Sequence, residues 1–155
     1  MKNILIALDY DPTAKKIAEI GAVLAKSMNA QITLLHVIYD ASYYSSLDYS
    51  PIMGFSGFNA ISLDNTTEDL KTHAQHFLYK SKKHLGDESI KTVVFEGSTA
   101  DAIMKTAKEI NADIIVIGSH SRRWLDKILM GGVTENVLNK TLIPLFIVPT
   151  RNKNE

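Results

Sequence analysis

Cysteine is absent from the 155-residue sequence, and an excess of charge of either sign is absent as well. Without cysteine there are no disulfide bonds, thiolate metal sites or cysteine nucleophiles, and the composition fits a reducing compartment. The 17 basic residues balance 17 acidic residues, so the formal net charge is zero. A neutral chain lacks the bulk electrostatic attraction of basic proteins for nucleic acids and anionic membranes, and we expect neither as a partner.

Long hydrophobic runs are missing too. No stretch approaches the roughly 18 apolar residues that cross a bilayer as a helix. The N-terminal segment MKNILIALD holds one lysine and a short apolar run that ends at Asp9. It has neither the length of a signal-peptide core nor a small-residue cleavage site, and we therefore expect a cytoplasmic protein.

Sequence patterns that carry catalysis are also missing. The Walker sequence G-x4-G-K-[S/T] does not occur, which excludes an efficient P-loop ATPase. The run GFSGF at Gly54–Phe58 is one residue short of the G-x-S-x-G nucleophile elbow. His73 and His76 have the spacing of some metal ligands, but the pattern offers no clear carboxylate or cysteine partner. We predict no catalytic residue and no metal site.

Five apolar runs of strand length alternate with helical patterns. The predicted strands are Asn3–Asp9, Ala30–Ile38, Ile90–Glu96, Asp113–Gly118 and Leu142–Pro149. After the first strand, apolar or small residues recur at offsets of 3, 4, 7 and 11 from Ile17, which is one face of an α-helix. Further helices are predicted from about Asp64 to Leu85, from Thr99 to Asn111 and from Leu125 to Asn139.

This alternation predicts a single α/β domain of Rossmann-like type, with a parallel sheet, right-handed crossovers and helices on both faces. The domain would span residues 1–150, with a loop insert at about 39–66 and a polar tail at 151–155. Ligands of such sheets lie beyond the carboxyl ends of the strands, where the strand order reverses. The residues that follow the strands there are Asp9 and Tyr10, Val37–Asp40, Glu96–Ser98 and Gly118–Ser121.

Glycines mark the end of the fourth predicted strand and the helical region after it. Gly118 closes the strand, and Gly131 and Gly132 lie where free backbone N–H groups at a helix start would bind an anion. This segment resembles the universal stress protein family, whose nucleotide-binding members carry G-x2-G-x9-G-[S/T] after the fourth strand. Gly118, Ser121, Gly131 and Gly132 stand at the four motif positions.

The resemblance covers nearly the whole chain outside the 39–66 insert. ILIALD and LLHV look like the family's first two strands, EGSTADAI like its turn after the third strand, and GGVTENVLNKTLIPLFIVP like its closing helix and strand. It implies a five-stranded sheet in the order 3-2-1-4-5, with a site for an adenine nucleotide at the switch point between the first and fourth strands. The implied ligand is ATP or AMP, with or without Mg²⁺.

The resemblance also implies the residues of this site. Asp9 and the Ala7–Leu8 end of the first strand would line the adenine or ribose, and the Val37 backbone would hydrogen-bond the adenine edge. The residues implied around the ribose and phosphates are Ile117, Gly118, Ser121, Gly131, Gly132 and Val133. Backbone amides and small side chains are the groups that phosphate oxygens can reach.

Two motif positions depart from the family pattern. Ser121 replaces a glycine, and a positive φ there would strain a serine by about 1 kcal/mol or more. Gly132 lacks the hydroxyl that the last position usually offers, although its amide remains. We expect weakened rather than abolished phosphate binding.

The implied function is that of a stress-response regulator or sensor that binds a nucleotide. ATP hydrolysis would at most be slow, because the sequence offers no evident general base or arginine finger. The alternative is a nucleotide-free protein-interaction module, in which the aromatic residues of the 39–66 insert contact an unknown protein partner. A flavoprotein-like or synthetase-like relative is a weaker third hypothesis, since the phosphate-binding loop of that class is missing after the first strand.

Several single residues allow a structural interpretation beside the functional one. Asp9 lines the ligand site or caps the next helix. Arg122 and Arg123 neutralise a phosphate or are solvated loop charges, and His120 contacts the ligand or solvent. His36, inside an apolar strand, is interpreted as a core histidine with its hydrogen bonds satisfied.

The last predicted strand, Leu142–Pro149, contains Pro144, which cannot donate to a central ladder and therefore indicates an edge strand. An edge this apolar is a liability when it is left open to solvent. In the family, this strand pairs antiparallel with its twin across a two-fold axis. We therefore expect a homodimer.

Overall fold

The computed structural model describes residues 1–38, 67–119 and 132–150. These residues form five strands and four helices. The strands are β1 (Lys2–Ala7), β2 (Ala30–Ile38), β3 (Lys91–Glu96), β4 (Ile114–Gly118) and β5 (Leu145–Val148). The helices are α1 (Ala14–Met28), α2 (Thr67–Leu85), α3 (Thr99–Glu109) and α4 (Gly132–Lys140).

All five strands lie in one parallel sheet with the order β3-β2-β1-β4-β5. Ala7 of β1 is opposite Leu35 of β2, and Ile6 of β1 is opposite Val116 of β4. The strand order runs outward from β1 in both directions, so the switch point lies between β1 and β4. The predicted fold class and strand order are confirmed.

Helices cover both faces of the sheet. On one face α1 and α2 pack on alternate strand residues such as Ile6 and Leu34. On the other face α3 and α4 pack on the intervening residues, such as Leu5 and Leu35. The alternation follows from the pleat, because successive side chains of a strand point to opposite faces. The continuous apolar runs in the sequence arise because both faces are buried.

The last strand corrects one prediction. β5 begins at Leu145, so Pro144 precedes the strand instead of lying inside it. Proline lacks the N–H donor but keeps its acceptor, and the Pro144 carbonyl accepts the Ile115 N–H at 2.9 Å. Within the described ranges β5 pairs with β4 alone, so it is an edge strand, as expected.

Other predictions fall on residues outside the described ranges. These are the insert at 39–66, the tail at 151–155 and the stretch 120–131, which includes the predicted helix start at Leu125. The bounds of β1 to β4 lie within two residues of the predicted strands. None of the four described helices combines the length and the apolar composition that crossing a bilayer requires.

Candidate functional site

The carboxyl ends of β1 and β4 lie side by side in the middle of the sheet. β1 is followed by α1, which covers one face, and β4 is followed by α4, which covers the other. Connections that leave neighbouring parallel strands for opposite faces open a crevice between them. Ala7 and Ile117 each come directly after the last β1–β4 pair, Ile6 and Val116, and so lie at this crevice.

Two aspartates after β1 make different hydrogen bonds. Asp11 is 8% exposed, and its Oδ1 accepts the Thr13 N–H at 2.8 Å and the Thr13 hydroxyl at 2.5 Å. Its carbonyl accepts the Ala14 N–H at 2.9 Å, so Asp11 satisfies donors at the start of α1. Asp9 Oδ1 instead accepts the Tyr10 N–H at 2.8 Å. Neither aspartate is the N-cap residue of α1, which is Thr13; the Asp11 carboxylate instead anchors Thr13 in the turn before the helix.

The peptide groups on both sides of Leu8 are held to β2. The Leu8 N–H donates to the Leu35 carbonyl at 2.8 Å. The Leu8 carbonyl lies 2.9 Å from Nδ1 of His36. Val37, the next residue of β2, is opposite Phe95 of β3 and lies beyond the last β1–β2 pair. The chain just after β1 is thus held to β2, the strand that also contains Val37.

His36 is a fully buried histidine with 0% exposure. Its ring centroid lies 4.3 Å from that of Tyr10 and 5.7 Å from that of Phe77. Burial lowers the pKa of His36, and the nearby Asp9 carboxylate and the Leu8 carbonyl oppose this only in part. The predicted core histidine with satisfied hydrogen bonds is present. Its hydrogen bond joins two residues 28 positions apart. The only sign of this bond in the sequence was a polar ring inside an apolar run.

Gly118 ends β4 against the first turns of α1. A Cβ at this position would lie 2.5 Å from Ile17 Cδ1, closer than real contacts allow, and 3.0 Å from Thr150 Cγ2, which is tight. A side chain here would therefore force Ile17 to shift. The Gly118 carbonyl accepts the hydroxyl of Thr134 at 2.8 Å, which ties the end of β4 to the first turn of α4.

Gly132 differs from Gly118 in its surroundings. It is the first residue of α4 and is exposed, and a Cβ built on it meets no described atom within 4 Å. The first backbone N–H groups of a helix have no intrahelical acceptor, and the helix dipole makes them attractive to anions. Val133, the next residue, packs its side chain on the core between the sheet and α3. Among the described residues, the start of α4 therefore leaves space at Gly132 beside a fixed apolar anchor at Val133.

The structure brings most of the predicted site residues to the end of the sheet at which the carboxyl ends of the strands lie. Those that lie at the carboxyl ends of the central strands or at the start of α4 are Ala7, Leu8, Asp9, Val37, Ile117, Gly118, Gly132 and Val133. Ser121 and Gly131 lie outside the described residues, as do His120, Arg122 and Arg123. The sequence did not single out Thr134, whose hydroxyl joins β4 to α4.

No cluster of three or more histidine, aspartate or glutamate side chains suited to a metal ion occurs among residues 1–38, 67–119 and 132–150. Partial burial lowers the pKa of His73, while Asp69 opposes this shift and His76 adds to it.

The sequence model of the universal stress protein family matches residues 1–149. The chain belongs to this family. Universal stress protein MJ0577 from Methanocaldococcus jannaschii is 32% identical over 158 residues, which cover 97% of this chain and 96% of that protein. The solved structure of MJ0577 superposes with a TM-score of 0.74 at 28% identity and covers 98% of both chains. The family resemblance noted in the sequence is confirmed.

Two further solved structures have the same fold at lower identity. A universal stress protein in complex with cAMP superposes with a TM-score of 0.65 at 17% identity, covering 97% of this chain and 98% of that one. The universal stress protein from Archaeoglobus fulgidus in complex with dAMP superposes with a TM-score of 0.61 at 18% identity, covering 95% and 97%. Similarity at this level of identity establishes the shared fold.

Proposed function

We propose that this universal stress protein binds an adenine nucleotide, ATP or AMP, in the crevice between β1 and β4. The observation that carries the proposal is the link between Thr134 and the Gly118 carbonyl. This hydrogen bond joins the described start of α4 to the end of β4, at the switch point of the sheet, where the amides of a helix start would bind phosphate. The cAMP and dAMP complexes of proteins with this fold support an adenine nucleotide as the ligand.

In this proposal the two sides of the crevice have separate roles. Asp9, at the end of the Ala7–Leu8 segment, contacts the adenine or ribose, and the Val37 backbone hydrogen-bonds the adenine edge. Asp9 is suited to this role because it follows β1 directly at the crevice, whereas Asp11 holds the turn before α1. The residues proposed around the ribose and phosphates are Ile117, Gly118, Ser121, Gly131, Gly132 and Val133.

We propose a regulatory rather than an enzymatic role. The nucleotide-bound and nucleotide-free forms would differ in the surface that they offer to other proteins of the stress response. Mg²⁺ would accompany a bound triphosphate, and hydrolysis would at most be slow. The proposed site draws its anion contacts from backbone amides, which bind phosphates but do not accept a proton from an attacking water.

Calorimetric titration with ATP and Mg²⁺, and separately with AMP, tests the proposed site. The variant Gly132→Glu adds a carboxylate at the start of α4, where the described residues leave room for a side chain. Gly132→Gln is the matched control, because it adds the same bulk without the charge. We expect wild-type binding that Gly132→Glu abolishes and Gly132→Gln retains in larger part.

Two other outcomes would contradict the proposal. Absence of heat and of any thermal shift up to millimolar ATP or AMP would favour a nucleotide-free interaction module. Equal binding by the wild type and Gly132→Glu would place the nucleotide somewhere other than the start of α4.

We further propose a homodimer through the segment Leu142–Pro149. β5 is an edge strand, Phe146 is 39% exposed and Leu142 is fully exposed, so an apolar edge with open backbone groups faces outward. Pairing with a second copy would cover this edge. Light scattering after size exclusion should give a dimer for the wild type and a monomer for Phe146→Lys, whereas a monomeric wild type would contradict the proposal.

A further inference from the structure

A buried imidazole lies directly beneath the β1 side of the crevice. His36 is on the same sheet face as Leu34 and Ile38, the face covered by α1 and α2. Its ring packs between Tyr10, which follows β1, and Phe77 of α2. The ring therefore fills core volume that an aliphatic or aromatic side chain could also occupy.

The hydrogen bond of this ring is what an apolar side chain could not supply. The Leu8 carbonyl can only accept, so Nδ1 of His36 must carry the hydrogen and donate it across the 2.9 Å between them. Because burial lowers the pKa of His36, the ring is neutral at pH 7, with its proton on Nδ1. The bond to Leu8 thus selects the tautomer.

The Leu8 carbonyl belongs to the same planar peptide unit as the Asp9 N–H. A donor that fixes this carbonyl also fixes the plane from which the chain continues into Asp9 and Tyr10. The other peptide group of Leu8 is already fixed, since its N–H donates to the Leu35 carbonyl at 2.8 Å. Together the two hydrogen bonds fix the position and orientation of the peptide group that leads into Asp9.

We propose that His36 is a positioning residue of the nucleotide site: its Nδ1–H holds the Leu8 carbonyl and thereby sets the Asp9 carboxylate against the ligand. This inference rests on the proposed function, because it assigns the residue that orients one side of the same site. His36 itself is buried behind Leu8 and does not touch the nucleotide.

His36→Asn and His36→Leu form a matched pair for the test, because the two side chains have the same branching and number of heavy atoms. Only asparagine has an N–H that can stand where Nδ1 stands. We expect His36→Leu to weaken AMP binding about tenfold, the equivalent of one lost hydrogen bond, and His36→Asn to stay within about threefold of the wild type. Leu34→Val, on the same strand and face, controls for a general loss of stability.

The amide resonance of Asp9 in the ligand-free protein gives a second readout that does not depend on binding. We expect its ¹⁵N shift to move in His36→Leu and to remain near the wild-type position in His36→Asn and Leu34→Val. A core residue with a packing role alone would instead give equal changes in the asparagine and leucine variants.

The outcomes separate this inference from the proposed function. If the wild type binds AMP and all three variants bind equally well or equally poorly, the positioning role of His36 is overturned while the nucleotide site stands. If the wild type binds no nucleotide, the proposed function fails and His36 has no part in affinity. The Asp9 resonance then decides whether the imidazole still fixes the chain after β1, and an unchanged resonance in His36→Leu overturns that as well.

Discussion

The described residues that follow β1 and those at the end of β4 and the start of α4 lie at the same crevice but are fixed in different ways. After β1, buried polar groups hold the chain: His36 bonds the Leu8 carbonyl and Asp11 bonds the first turn of α1. After β4, the described residues at the crevice are small or lack a side chain, and Thr134 supplies the bond to the Gly118 carbonyl. Several polar side chains hold the chain after β1, whereas the described residues on the β4 side are held by the one hydroxyl of Thr134 and include two glycines.

This difference matches the chemistry of the two parts of a nucleotide, the base with its ribose and the phosphates. A base and a ribose are recognised by groups with a fixed direction, which a hydrogen-bonded segment provides. Phosphate oxygens are reached by backbone N–H groups, which need close approach and therefore small residues. This comparison predicts which substitutions at the crevice act on stability or affinity through added side-chain volume, and which act through a lost hydrogen bond.

The largest expected effect is that of volume added at Gly118. Gly118→Val places a side chain against Ile17, which is only 5% exposed and cannot move away without disturbing the core. We expect a loss of about 1–3 kcal/mol in the free energy of unfolding, measured by urea denaturation. The same substitution at Gly132, where no described atom lies within 4 Å of the added Cβ, should change it by no more than about 0.5 kcal/mol.

Equal losses in the two variants would mean that the start of α4 is as tightly packed as the end of β4. The contrast between the two glycines is therefore a direct test of which one is a packing glycine. It also has to be established before Gly132→Glu is used to block the proposed nucleotide site.

The second effect is a loss of stability on acidification. The pKa of His36 is about 6.5 in the unfolded chain and lower in the fold, mainly because of burial. Below pH 6.5 the unfolded state therefore binds a proton that the folded state does not, and stability falls until the pH reaches the lower, folded-state pKa. The slope contributed by this one group is at most about 1.4 kcal/mol per pH unit.

His36→Asn removes the titrating ring, so its unfolding free energy should depend less on pH than that of the wild type between about pH 7 and pH 5. His73, whose pKa is also lowered, titrates in both proteins and cancels in the difference. Parallel curves for the two proteins would indicate that His36 titrates alike in the folded and unfolded states.

The sequence predicts the strands that carry the crevice better than it predicts the contacts of individual residues there. Runs such as NILIALD and AQITLLHVI are apolar throughout because both faces of the sheet are buried, so the strands could be read from composition and length. The strand order came from the family resemblance, since the spacing of the strands does not determine which of them are neighbours.

The reasons for particular residues could not be read in the same way. Gly118 has no side chain because of Ile17, which is 101 positions away in the chain, and His36 bonds a carbonyl 28 positions away. Asp9 and Asp11 both precede a helix at a spacing that permits a cap, but Thr13 is the N-cap residue, and which aspartate holds that turn depended on its geometry. These roles depend on contacts between residues that are distant in sequence, and local sequence patterns do not predict such contacts.

The third effect separates the two aspartates. Asp11→Ala removes the acceptor for the Thr13 N–H and hydroxyl, and we expect a loss of about 1 kcal/mol in the free energy of unfolding without ligand. Asp9→Ala should cost less stability but weaken AMP binding. Urea denaturation and calorimetry on both variants measure the two quantities. If Asp9→Ala were the more destabilising variant and bound AMP normally, Asp9 would be a structural residue.

The smallest effect is expected on the backbone side, where Thr134 supplies the described link between α4 and β4. Thr134 is 4% exposed, and Thr134→Val keeps its shape while leaving the Gly118 carbonyl without this donor, at about 0.5–1 kcal/mol. Thr134→Ser keeps the hydroxyl and so controls for the loss of the bond. If this link holds the amides of α4 at the phosphates, Thr134→Val should weaken ATP binding more than Thr134→Ser does, although the serine variant has the smaller side chain. Equal affinities would mean that packing of Val133 and Val137 on the core suffices to place α4, and that the backbone side of the site depends on no single hydrogen bond among the described residues.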